Sequence, residues 1–107
     1  YISDDYIHED RVRLELYRRL SKASDIQEVY AIEEEMEDRF GKPDVVTKQF
    51  IELIIIKILA LNLGIQNISS YEMNITFVSA DNTKETIKSP SRDDDDIIAT
   101  TLRYLRR

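Results

Sequence analysis

The chain has no cysteine, one histidine, two glycines and two prolines among its 107 residues. Without cysteine there is neither a disulfide nor a thiolate metal site, as expected of a cytoplasmic protein. His8 has no cysteine or serine-nucleophile motif to work with, so a catalytic triad is unsupported. Two glycines do not make a phosphate-cradling loop. Both, Gly41 and Gly64, stand where a helix would stop. The longest apolar run, Leu53 to Ile56 and then Ile58 to Leu61, is broken by Lys57. It is far shorter than the roughly 20 residues of a membrane span, and no secretory signal is present. Positive charge is also lacking. The net charge of -6 argues against broad binding to a phosphate backbone, which needs a basic stripe.

Enough is present to fold. Apolar residues make up 42% and charged residues 34%, a globular rather than a disordered balance. A chain of this length is expected to form a single domain, 1–107, burying roughly two-thirds of its surface. It begins at Tyr1 rather than methionine, as a piece of a longer protein would.

Tyr1 to Ile7 shows no helical period and reads as an extended lead-in. Between about Glu9 and Ala23, Val12, Leu16, Tyr17 and Leu20 follow helical spacing, with acids at the start and Lys22 at the end, as the helix dipole prefers. Ser24 and Asp25 then offer N-caps, and Asp25 with Glu28 resembles a capping box. The second helix runs to about Phe40, with Ile26, Val29, Tyr30, Met36 and Phe40 on one face and Glu33, Glu34, Glu35, Glu37 and Asp38 on the other. Gly41-Lys42-Pro43 turns the chain. Pro43 or Asp44 opens a third helix that continues to Leu63 and stops at Gly64. Its middle is apolar nearly all round, which predicts the central, most buried helix.

After Gly64 the period changes to two. Ile65 to Tyr71 and Met73 to Ser79 are rich in β-branched and aromatic residues, and Met73, Ile75 and Phe77 alternate onto one face. Ala80 to Thr83 has turn chemistry, Glu85 to Lys88 can return as a partner strand, and Ser89-Pro90-Ser91 ends it. Asp93 to Asp96 precede a last helix with Ile97, Ile98, Leu102 and Leu105 on its face. The expected fold class is α+β: a three-helix N-terminal part, a small antiparallel sheet or hairpin, and a C-terminal helix.

Charge carries the functional signal. Consecutive aspartates at a helix start point in different directions, so capping and the dipole account for Asp93 to Asp96 better than a metal site, which needs converging carboxylates. Arg11, Arg13, Arg18 and Arg19 give the first helix a basic character. Glu9, Asp10 and Glu15 are interleaved with them, so internal pairing with the acidic second helix is favoured over DNA binding. Arg103, Arg106 and Arg107 suit a helix C-terminus. The run Glu35-Met36-Glu37-Asp38-Arg39-Phe40-Gly41 is the most informative. Glu35 and Asp38, three apart, share a face near a helix end, beside Phe40. Such a carboxylate pair can dock on an arginine-bearing surface, or be the solvated end of an amphipathic helix. Phe40 itself suits the core better than an interface.

Three segments in order, Tyr6-Ile7 with Arg13-Leu14 and Tyr17-Arg18-Arg19, then Glu35-x-x-Asp38-Arg39-Phe40-Gly41, then Leu63-Gly64-Ile65, resemble the C-terminal domain of the bacterial transcription-repair coupling factor. The resemblance spans roughly residues 1 to 80. His8 stands where the family usually has proline, and Gly41-Lys42-Pro43 is one residue shorter than usual. The resemblance implies a non-catalytic, autoinhibitory domain of an ATP-dependent DNA translocase that displaces stalled RNA polymerase and recruits the excision-repair protein UvrA. It implies that Glu35, Asp38 and Arg39 form an interdomain interface with the UvrB-like module of the same chain, hiding the surface that UvrA would occupy. RNA polymerase and DNA would be engaged by other domains. ATP and Mg belong to the motor, so this domain needs no cofactor, and no membrane is involved.

Two other readings follow from the residues alone. One is a free-standing adaptor using the acidic helix face on a basic partner. The other is a small acid-base hydrolase, but no carboxylate pair here adjoins a candidate nucleophile, base or glycine loop.

Overall fold

Asp25 begins the second helix as its sequence predicts. Its carboxylate accepts the Glu28 backbone N–H at 3.0 Å, while the Glu28 side chain takes the Ser24 hydroxyl at 3.1 Å. The computed structural model describes all residues, 1–107. Its elements are α1 (Asp10–Lys22), α2 (Ile26–Phe40), α3 (Val45–Asn62), β1 (Ile65–Tyr71), β2 (Asn74–Ser79), β3 (Lys84–Lys88) and α4 (Asp94–Leu105). The protein is α+β. The chain forms two compact units, residues 1–55 and 56–107, with α3 running from the first into the second.

In the first unit, α1 and α2 bury Leu16, Leu20, Val29, Ile32 and Met36, and Ile51 and Ile55 of α3 are buried too. The lead-in is not extended, contrary to its sequence reading. Ser3 organises a turn: its carbonyl accepts the N–H groups of Tyr6 and Ile7, its hydroxyl accepts that of Asp5, and Ile2 and Ile7 are buried. The lack of helical period concealed a serine turn. The N-cap of α3 is Asp44, whose carboxylate accepts the Thr47 N–H at 3.0 Å. Gly41 closes α2 at φ 83° and ψ -174°, its N–H reaching the Glu37 carbonyl. That backbone region is open to glycine almost alone.

α3 is less enclosed than its composition predicts. Ile51, Ile55, Ile56, Ile58 and Ala60 are buried, but Leu53 is 52% and Leu61 64% exposed, with Val45 and Val46 also at the surface. Hydrophobic residues on every side of a helix permit full burial without supplying enough neighbours for it.

In the second unit, the three strands form an antiparallel sheet in the order β1-β2-β3, so the sheet rather than a lone hairpin is realised. Ile75 and Phe77 on β2 alternate into the core as expected. Met73 does not join them, because it lies in the β1–β2 turn with Glu72. α4 contributes Ile98, Leu102 and Leu105, and its Tyr104 ring stacks on Phe77 at 4.2 Å between centroids. Asp93 makes no side-chain cap; instead Ser91 organises this entry, accepting the Asp93 N–H at 3.0 Å and donating to Asp96 at 2.6 Å. No helix is long and apolar enough to cross a membrane.

Candidate functional site

The C-terminal turns of α2 carry Glu35, Asp38 and Arg39, all within the first unit. The buried face of α2 is set by Val29, Ile32 and Met36. That period turns Glu34, Glu37, Asp38 and Arg39 to solvent and leaves Glu35 half-buried at the margin.

Glu35 is already paired. Arg19 of α1 grips it fork to fork, Nη1 donating to Oε2 at 2.8 Å and Nη2 to Oε1 at 3.0 Å. Arg39, one turn along α2, brings Nη1 to 3.5 Å from the same Oε2. The hydrogen bond from Arg19 is the main reason the Glu35 carboxyl titrates below its ordinary range. In return that bond raises the Arg19 guanidinium above its own. The Arg39 guanidinium also lies over the Phe40 ring, 4.9 Å from its centroid.

Asp38 differs from Glu35. It is exposed, and its side chain makes no hydrogen bond or ion pair. Of the three residues singled out in the sequence, the structure therefore brings Glu35 and Arg39 together and leaves Asp38 beside them with both oxygens open. Phe40 is half-buried rather than core, its ring edge-on to Tyr6 at 6.1 Å. The Tyr6 hydroxyl donates to the Gly41 carbonyl at 2.5 Å, which ties the end of α2 to the N-terminal turn. Burial, with Glu37, Asp44 and Glu33 nearby, raises the Tyr6 phenol above its ordinary value.

Two contacts add residues the sequence did not single out for this site. Arg19 was one of four candidates for internal pairing, and spacing along α1 could not say which would face α2. Lys48 of α3 donates to Glu33 at 2.6 Å, so a second acidic residue of α2 is taken up internally. The basic character of α1 was a visible signal for the first contact. Nothing local marked the second. A shallow hollow of about 430 Å³ between α1 and α2, lined by Arg19, Lys22, Glu28, Ala31 and Ile32, lies next to the Arg19–Glu35 pair. The arrangement offers charged recognition.

Comparison with known proteins identifies the family. The family model described as the TRCF domain matches residues 1–89, beyond the span near residue 80 at which the motif resemblance ended. Transcription-repair-coupling factors of two Helicobacter pylori strains are each 47% identical to this chain over 105 and 106 residues, covering 98% and 99% of it. That of Rickettsia prowazekii is 30% identical over 95 residues. The chain spans only about a tenth of these relatives' length: 10%, 11% and 8%. A crystal structure of the C-terminal domain of a transcription-repair coupling factor superposes with a TM-score of 0.82 at 17% identity, covering 99% of this chain and 84% of that one. By family match and by fold, this chain belongs to the TRCF domain family of the transcription-repair coupling factors.

Proposed function

We propose that this chain is the non-catalytic regulatory domain of a DNA-repair translocase, and that it acts as an autoinhibitory clamp. In this reading the end of α2 docks on the UvrB-like module of the same polypeptide and covers the surface UvrA would bind. The clamp opens once the translocase, driven by ATP in other domains, has engaged stalled RNA polymerase. Glu35, Asp38 and Arg39 carry the docking. The observation that supports this most directly is the exposed, unpaired Asp38 next to the exposed Arg39, at a helix end held by Gly41 and Tyr6.

Charged groups of this kind select a partner and fix register more than they add affinity. That suits a clamp that must open, since a ligand releases it only by differential binding to the two states. The test is UvrA binding by a full-length coupling factor carrying this domain, compared with the same protein lacking it and with the double variant Glu35→Lys, Asp38→Lys. Deletion and double reversal should both raise UvrA affinity. Unchanged affinity in both would refute the clamp.

A further inference from the structure

We propose that Arg19 is a positioning residue of the docking surface: it holds Glu35, and through it Arg39, while Asp38 is the carboxylate that meets the partner. The inference rests on the docking reading above and assigns the roles within it.

An ionised carboxylate has about four acceptor positions. On Glu35, the Arg19 fork takes one on each oxygen, at 2.8 and 3.0 Å, and Arg39 approaches Oε2 at 3.5 Å. A partner arginine cannot grip this carboxylate in fork geometry without first expelling Arg19. A lysine is no better placed, because two guanidiniums already draw on Glu35. Asp38 is the open acceptor for an approaching cation: it is exposed and has nothing bound to either oxygen.

Arg39 completes the surface. Its guanidinium is half-exposed, anchored on one side by Glu35 and Phe40. It is therefore presented in a restricted range of orientations with donors left over. Asp38 and Arg39 together make a bipolar pair, acid beside base. The partner patch that fits it carries a cationic group for Asp38 and a carboxylate or carbonyl for Arg39. Arg19 lies on α1, sixteen residues upstream of Glu35, and its hydrogen bonds run to Glu35 rather than to either half of that exchange. Its contribution is to fix Glu35, and lysine cannot reproduce it fully because a point charge lacks the fork.

The experiment uses full-length coupling factor carrying this domain, with UvrA affinity as the readout, and single variants Asp38→Asn, Glu35→Gln, Arg19→Gln and Arg19→Lys. Asp38→Asn should raise UvrA affinity about tenfold by removing a direct contact. Arg19→Gln should match Glu35→Gln, each raising it about two- to fivefold, with Arg19→Lys in between. In the 107-residue chain, carbon-13 NMR should show the Glu35 carboxyl titrating higher in Arg19→Gln, with circular dichroism confirming that the variant stays folded. If Arg19→Gln leaves UvrA affinity unchanged or lowers it while Glu35→Gln raises it, Glu35 touches the partner itself and the assignment is overturned. If neither deletion of the domain nor the double charge reversal has an effect, the clamp reading fails, and this inference with it.

Discussion

The Tyr6 hydroxyl and the Gly41 carbonyl are 2.5 Å apart, so the N-terminal turn and the end of α2 form one fixture. Tyr6→Phe removes that hydrogen bond and keeps the ring contact with Phe40. It should cost about 1 kcal/mol of stability in urea unfolding. The raised phenol pKa adds a pH signature. The folded state keeps the proton longer than the unfolded state, so this contribution is full below the ordinary value of 10.0 and declines as pH rises past it. Tyr6→Phe should lack that alkaline decline.

Thr47 is fully buried, and its hydroxyl oxygen accepts the buried Ser3 N–H at 3.0 Å. Thr47→Val keeps the shape and orphans that N–H. The expected loss is about 1–3 kcal/mol, against a smaller loss for Thr47→Ser, which retains the acceptor. Equal losses in thermal denaturation of the two variants would show that packing, not the hydrogen bond, holds this turn.

Acid should expose the Arg19–Glu35 pair. Glu35 is held below its ordinary 4.5, foremost by the hydrogen bond from Arg19. As pH falls the unfolded chain takes up the Glu35 proton first, so the pair's stabilisation is full above the ordinary value and lost as pH falls through the depressed folded one. The stability difference between the native chain and Arg19→Gln should be present at about pH 7 and shrink as pH falls through the depressed folded-state value of Glu35. Asp44, depressed foremost by the Thr47 side-chain hydrogen bond, also loses its contribution in acid, in both proteins. A pH-independent difference between the two would show that Arg19 stabilises by packing.

Gly41→Ala should cost about 1–3 kcal/mol. A Cβ at Gly41 would meet nothing within 4 Å, so the cost comes from the backbone at φ 83° rather than from collision. Asn tolerates the left-handed helical region but not this extended one, so Gly41→Asn should not recover the loss. A rescue by asparagine, seen as a restored melting temperature, would contradict the assignment.

Glu72 has φ 55° in the β1–β2 turn. Glycine takes positive φ without the side-chain penalty, so Glu72→Gly should stabilise by about 0.5–1 kcal/mol despite its greater unfolded-state entropy. Hydrogen exchange along β1 and β2 is the sensitive readout, because this turn sets their register.

Elements whose signals are local were legible in the chain. Asp25, Gly41 and Gly64 bounded helices by capping and by backbone freedom, and Ile75 and Phe77 marked one face of a strand by alternation. Signals that depend on neighbours were misread. Met73 continued the alternation on paper but fell in a turn. Leu53 and Leu61 were apolar yet exposed. Asp93 looked like a cap, while Ser91 organises the helix entry through the Asp93 N–H and the Asp96 carboxylate. The turn around Ser3 was missed because two buried isoleucines five apart, Ile2 and Ile7, show no period to recognise.

The candidate site divides in the same way. The order of residues along the chain determined the family, through motifs spread over three segments, and spacing within one helix determined which helix carries Glu35, Asp38 and Arg39 and that Glu35 and Asp38 share a face. Only the tertiary structure decided that Glu35 is spent on Arg19 and that Asp38 remains open. Which guanidinium of α1 meets which carboxylate of α2 depends on how two helices pack, and no spacing within either helix encodes that distance.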